Sequence, residues 1–229
     1  MNKFKPPAWI CALPLALAAS AIQAQSSCSS DGQQPPAGLM ERFVEADCES
    51  CWSDPKALQP GRGELALDWI VPSSRGEDAW LSNGATTEAR ERLKALRRPA
   101  PVQADAIRRK AESGPQELRV AHGQVFNGYI GASIELQPGN GGPWQAWLLL
   151  VETLAGGTEG TGVERNLVRS VLQLTWPPSA ASAGPSPRFF ESRPMSVPAG
   201  AHPDRLRVVG WIEDTRGTIR GIAQSRCEN

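Results

Sequence analysis

"GLMERFVEADCESCWSDP", residues 38–55, is a run of mixed apolar and charged residues that ends in two cysteines three positions apart. The run alternates well enough for a strand that delivers Cys48 and Cys51 to a turn. Ser53 or Asp54 then supplies an N-cap, Pro55 is tolerated in a first helical turn, and Pro60-Gly61 stops the chain, so a short helix is expected after the pair. Working outward, "ELALDWIVP" (64–72) reads as a second, largely buried strand. "TTEARERLKALRR" (86–98) has the Thr cap, the helix formers and the Leu93/Leu96 spacing of a helix that Pro99 and Pro101 end. "VQADAIRRKAES" (102–113) is expected to be a further helix, closed by Gly114-Pro115.

After Gly114 the period shifts towards two. "ELRVAHGQVF", "YIGASIELQP", "PWQAWLLLVET", "GVERNLVRSVLQLTW", "DRLRVVGWIED" and "GTIRGIAQSRC" read as strands of an antiparallel sheet or sandwich. "PGNGG" and "GGTEGTG" supply turns, and "PPSAASAGPSP" (177–187) is a low-complexity loop. In the fourth strand Val168, Leu172, Leu174 and Trp176 share one face, leaving Arg165, Arg169 and Gln173 on a wet one. Trp144 and Trp147 are an odd number apart, which splits them between core and surface; the tryptophans as a set are read as core. The fold class expected is α+β: a shortened α/β lobe over 25–115 and an antiparallel β-rich, sandwich-like lobe over 116–229.

The first residues, "MNKFKPPAWICALPLALAASAIQAQ", have the lysines, apolar stretch and small residues of a secretory signal, with cleavage expected after Ala24. The apolar stretch is shorter than the ~20 residues of a membrane span. A periplasmic or secreted product with no span after cleavage is expected. Basic and acidic side chains number 24 each, so no electrostatic footprint exists for nucleic acid or an anionic membrane.

Of five cysteines, Cys11 falls inside the signal, leaving Cys28, Cys48, Cys51 and Cys227. An even set in an oxidising compartment pairs completely, and four cysteines admit three pairings. Adjacency favours Cys48–Cys51, which leaves Cys28 for Cys227. As a redox couple the pair would use Cys48 for attack and Cys51 to resolve; as a staple it would hold a turn. Asp47, Glu49 and Asp54 raise a thiol's pKa, and Lys56 is the only cation near by. No metal site is expected, because His122 and His202 are the only histidines and read as a strand and a loop residue. No cofactor is expected either: no lysine follows "GNGG", and no G-x-S-x-G is present.

The order of strand, C-x-x-C, strand and helix resembles an exported bacterial thioredoxin-like family of unknown function. The similar segments are "MERFVEADCESC", "LALDWIVPSSRGEDAWLS", "TEARERL" and, in the β-rich half, "GVERNLVRSVLQLTW". The chain departs from that family in lacking the cis-proline segment that faces the cysteine pair. The resemblance implies a thioredoxin-like first lobe and a thiol–disulfide oxidoreductase acting through Cys48 and Cys51. The residues themselves favour a non-catalytic, disulfide-stabilised envelope protein that contacts another envelope protein; they carry no signal for oligomeric state.

Overall fold

The computed structural model describes residues 28–112, 114–137, 139, 141–179 and 188–227, so the expected signal and most of the 177–187 loop lie outside the described residues. Among the described residues eleven strands make two sheets. The smaller is antiparallel, in the order β1 (Cys28–Ser29), β5 (Glu117–Phe126), β6 (Tyr129–Gln137), β9 (Phe189–Ser196). The larger runs β11 (Ile219–Gln224), β10 (Leu206–Glu213), β7 (Trp144–Leu154), β8 (Arg165–Trp176), β3 (Glu64–Val71), β2 (Gly38–Glu45), β4 (Ala104–Lys110). Its β2–β3 and β3–β8 pairs are parallel and the others antiparallel. The helices are α1 (Glu49–Trp52) and α2 (Thr87–Ala95), the latter capped by the Thr86 hydroxyl accepting from Ala89 N.

Strands covered on both faces read as nearly continuous apolar runs, and β2, β3 and β7 are buried along almost their whole length. One face of the large sheet packs on the small sheet, where Val120, Ile130, Ile134 and Leu136 meet Leu148, Leu150, Val208 and Ile212. The sheets approach so closely at Gly210 that a Cβ there would lie 2.6 Å from Val120 Cγ1. The opposite, concave face holds Ala89 and Leu93 of α2 against Phe43, Trp69, Trp147, Leu149 and Trp211. Trp147 stacks on Trp211 with centroids 5.4 Å apart. The sheet curls until its two edge strands touch at one corner, where Ala111 bridges Ile219 and Glu112 N donates to Ile219 O at 2.8 Å. Each large apolar side chain buried in this way contributes about 1.5–3 kcal/mol.

The α+β expectation is corrected. Among the described residues about half are strand and 12% helix, and no thioredoxin-like α/β lobe is evident. The large sheet instead takes β2, β3 and β4 from before residue 115 and β7, β8, β10 and β11 from after it. Residues 104–110, expected as helix, form β4, because the edge of β2 offers seven paired positions from Val44↔Ala104 to Gly38↔Lys110. Helix propensity is a weak prior that such pairing overrides. The short helix expected after the cysteines, capped by Ser53 or Asp54, does not form: residues 53–60 are turn and irregular, and the helical stretch here is α1, which precedes them and contains Cys51. It ends at Trp52 because a residue preceding proline, here Asp54, is pushed out of the α region.

Two side-chain expectations are corrected with it. Trp144 and Trp147 do point to opposite faces, but both are buried, since the sheet is covered on each side. A register shift opposite Leu150/Val151 then breaks the parity of β8, so Val168 joins Val171 on the concave side while Leu172 and Leu174 face the small sheet. Arg165 on the supposed wet face is buried. Strand β9 was not legible as one: it carries Pro194, which only an edge strand tolerates.

Candidate functional site

The turn after β2 is shaped by backbone hydrogen bonds: Cys48 N donates to Glu45 O (2.9 Å), and Cys51 N and Trp52 N both donate to Cys48 O (3.1 and 3.2 Å). Cys48 and Cys51 form one disulfide and Cys28 and Cys227 the other, the pairing that adjacency favours. Cys48, the expected attacking residue, is the inner one. It is 8% exposed and packs among Val44, Ile70, Leu154 and Leu167. Cys51 is half-buried and lines an open pocket of about 350 Å³ with Arg42, Asp54, Lys56, Leu58 and Asp105. An incoming thiolate therefore reaches Cys51 first and would expel the Cys48 sulfur, as thiolate, into an apolar cluster. Low dielectric disfavours that charge, so the exchange step is opposed by the leaving group.

The backbone beneath the pair is clamped by a buried ion network. Asp68 accepts from Arg42 Nη2 (2.7 Å), Arg165 Nη1 (3.1 Å) and Asn166 N (2.8 Å). Arg165 Nη2 donates in turn to the carbonyls of Cys51 and Trp52, each at 3.0 Å, with its guanidinium 5.1 Å from the Trp52 ring centre. Burial holds Arg165 below its ordinary pKa, against the pull of Asp68. The 156–162 turn seals the other side: Trp52 Nε1 donates to Glu159 O (3.1 Å), and a Cβ on Gly162 would lie 2.3 Å from Ser53 O. Nothing in the cysteine spacing announces this network; its one signal is charge inside apolar strands, as in "MERFV" and "LALDWIV".

A second buried cluster lies at the corner where the sheet closes. Arg92 of α2 donates through Nε and Nη2 to Glu41 (2.7 and 2.9 Å) and through Nη2 to Glu213 (2.9 Å), and Arg109 of β4 reaches both carboxylates. Trp211 Nε1 also donates to Glu213 (2.9 Å). Burial works against the charge on Glu213, but Arg92, Arg109 and the hydrogen bonds outweigh it and hold the carboxyl below its usual range. A lowered folded pKa means that the unfolded chain takes up the proton first as acid is added. The stability contributed by Glu213 is therefore present above about pH 4.5, its ordinary value, and lost as the pH falls through the depressed one. Urea midpoints measured from pH 7 to pH 3 are expected to fall below that value, and Glu213→Gln is expected to flatten the decline. Beside this cluster runs an open groove of about 650 Å³ lined by Leu96, Gln145, Trp147, Gln173 and Arg216 among others.

The terminal disulfide lies elsewhere, next to His122. This histidine is on β5, and His202 is in the loop before a one-turn helix at Pro203–Arg205, as read from the sequence. Burial lowers the pKa of His122. Arg169, expected on a wet face, pairs with the buried Glu152 (Nε to Oε2, 2.8 Å). Of the seven tryptophans beyond residue 24, Trp80 is the exposed one among the described residues. No described helix is long and apolar enough to cross a membrane. No family model, characterised protein or solved structure matches this chain.

Proposed function

We propose that this is an exported, non-catalytic protein of the cell envelope, a disulfide-braced β-sandwich that works by contact with another envelope protein. The observation that carries the reading is the placement of Cys48: its side chain is packed in an apolar cluster, and Arg165 clamps the carbonyls of Cys51 and Trp52. A pair built into the core in this way suits a staple. Export rests on the signal-like first residues and on two paired disulfides, which persist in oxidising compartments. The contact surface we assign is the outer side of the small sheet, where Phe126 and Tyr129 are cross-strand partners and, with Phe190, are about half exposed or more.

Thiol–disulfide exchange at Cys48 and Cys51, the role the family resemblance implies, has one observation in its favour: Cys51 lines a pocket that also holds Lys56 and Arg42. Insulin reduction by the purified protein with a dithiol reductant separates the two. Equal and negligible rates are expected for the wild type and Cys48→Ser. Turnover by the wild type that disappears in Cys48→Ser establishes exchange and removes the non-catalytic reading.

A further inference from the structure

We propose that the terminal cysteine couple is the closed state of a redox-gated metal site: once the Cys28–Cys227 disulfide is reduced, Cys28, Cys227 and His122 bind one thiophilic d10 cation, Zn(II) or Cu(I). The site is separate from the Cys48–Cys51 turn, so this inference stands apart from the function proposed above.

Three features assemble it. Both sulfurs and a ring nitrogen of His122 lie within 4.8 Å of one another. Cys28 and His122 are directly opposed in the β1–β5 ladder, and Val120 N donating to Ser30 Oγ (3.0 Å) braces the strand end beside them. Arg226 exchanges backbone hydrogen bonds with Ser29 (3.0 and 2.8 Å), which brings Cys227 alongside. Two ligands are thus held by the sheet. The third, Cys227, is exposed and lies three residues beyond β11, where it can adjust as the sulfurs separate.

The histidine supplies the second, independent observation. His122 is 6% exposed. Its Nδ1 lies 2.9 Å from Gly123 O, and since a carbonyl only accepts, Nδ1 carries the proton. Nε2 is left with a bare lone pair, buried and without a hydrogen-bond partner. A buried polar atom is normally paired. A neutral imidazole with one nitrogen tied to a backbone carbonyl and the other open is the arrangement of metal-ligating histidines. Two thiolates with one imidazole suit soft cations: they complete a trigonal Cu(I) site, or leave one position of a tetrahedral Zn(II) site for water.

The other candidate cluster, Glu152, Glu159 and His202, lacks this vacancy, because Arg169 and Arg205 occupy its carboxylates. The chemistry at the terminal couple balances simply. An external dithiol attacks the exposed Cys227 sulfur and leaves as a cyclic disulfide, passing two electrons and two protons to Cys28 and Cys227. The cation then displaces both thiol protons. The oxidised couple has no thiolate to offer, so binding follows redox state.

The test uses the chain with Cys11→Ser, Cys48→Ser and Cys51→Ser, in which the terminal couple supplies the only thiols. Reduced anaerobically, freed of reductant and titrated against a chromophoric chelator, it is expected to take up one equivalent of Zn(II) or Cu(I); the two arms show which ion it prefers. The oxidised protein is expected to take up none. Adding His122→Ala is expected to weaken binding by at least about 10–100-fold, the cost usual for disturbing a ligand's surroundings. Equal affinity in the His122→Ala protein reduces the site to a bare dithiol and overturns the proposal, as does the absence of stoichiometric uptake of either ion. If the reduced chain unfolds, one equivalent of cation must restore the native tryptophan fluorescence. Unfolding that neither ion reverses also overturns it.

Discussion

Replacing Arg92 by methionine is expected to lower the free energy of unfolding by about 3–5 kcal/mol, the usual cost of removing one partner from a buried ion pair. Methionine keeps much of the side chain's volume, so little of the loss is cavity. What it strands is charge. Glu41 and Glu213, both buried, then share Arg109 as their one cationic partner among the described residues, and the guanidinium set 4.5 and 5.0 Å from the Trp147 and Trp211 rings disappears as well. Because Arg92 ties α2 to β2 and β10, and Arg109 adds β4, the damage falls on the corner where the curled sheet closes. For a chain of this size each kcal/mol moves the melting temperature by about 2–4 °C. Urea unfolding followed by tryptophan fluorescence checks the figure. The triple change Arg92→Met, Glu41→Gln, Glu213→Gln is expected to recover part of the loss, since neutral amides cost less to leave in place than carboxylates. A single Arg92→Met protein within about 1 kcal/mol of wild type rules out this cluster as the tie between helix and sheet.

The second large effect concerns the two disulfides, which differ far more in consequence than in chemistry. Cys28–Cys227 closes a sequence separation of 199 residues and Cys48–Cys51 one of 3. Loop-closure entropy gives about 5 kcal/mol for the first and about 2 kcal/mol for the second. Cys28→Ala with Cys227→Ala is therefore expected to cost more than twice as much as Cys48→Ala with Cys51→Ala. The real difference should be wider, because β1 is only two residues long and its hold on β5 depends on the staple. Denaturant midpoints of the two double variants, measured side by side, test this. Equal losses mean that the short couple braces more than a turn.

Much of the strand inventory was legible because burial leaves a period. β5, β6, β7, β8, β10 and β11 coincide closely with segments whose side chains alternate or run apolar, and α2 follows its Thr86 cap. Residues 102–113 misled for a physical reason: Ala, Arg and Lys favour helix locally, but an unpaired edge of β2 offered backbone partners, and Ile107 and Arg109 could then reach the core and Glu41. The expectation of an α/β lobe over 25–115 arose the same way, from local order, whereas the faces of the large sheet are covered by α2 and by the small sheet. At the site, cysteine count and adjacency favoured, among three possible pairings, the one that forms. They carried no information on which sulfur faces water, because that depends on Trp52, Leu154, Leu167 and the 156–162 turn, some of them a hundred residues away.

By itself, the sequence determined the equal numbers of acidic and basic side chains, the capped helix and most strands, and by count and adjacency it favoured the sulfur pairing that forms, since each depends on composition or on near neighbours. Only the tertiary structure decided that one curled sheet runs through both halves of the chain, that Arg42, Arg92 and Arg165 are buried against Glu41, Asp68 and Glu213, and that His122 stands beside the terminal couple. Those facts rest on contacts between residues far apart in the chain, and a buried charge is stable only where such a distant partner arrives to meet it.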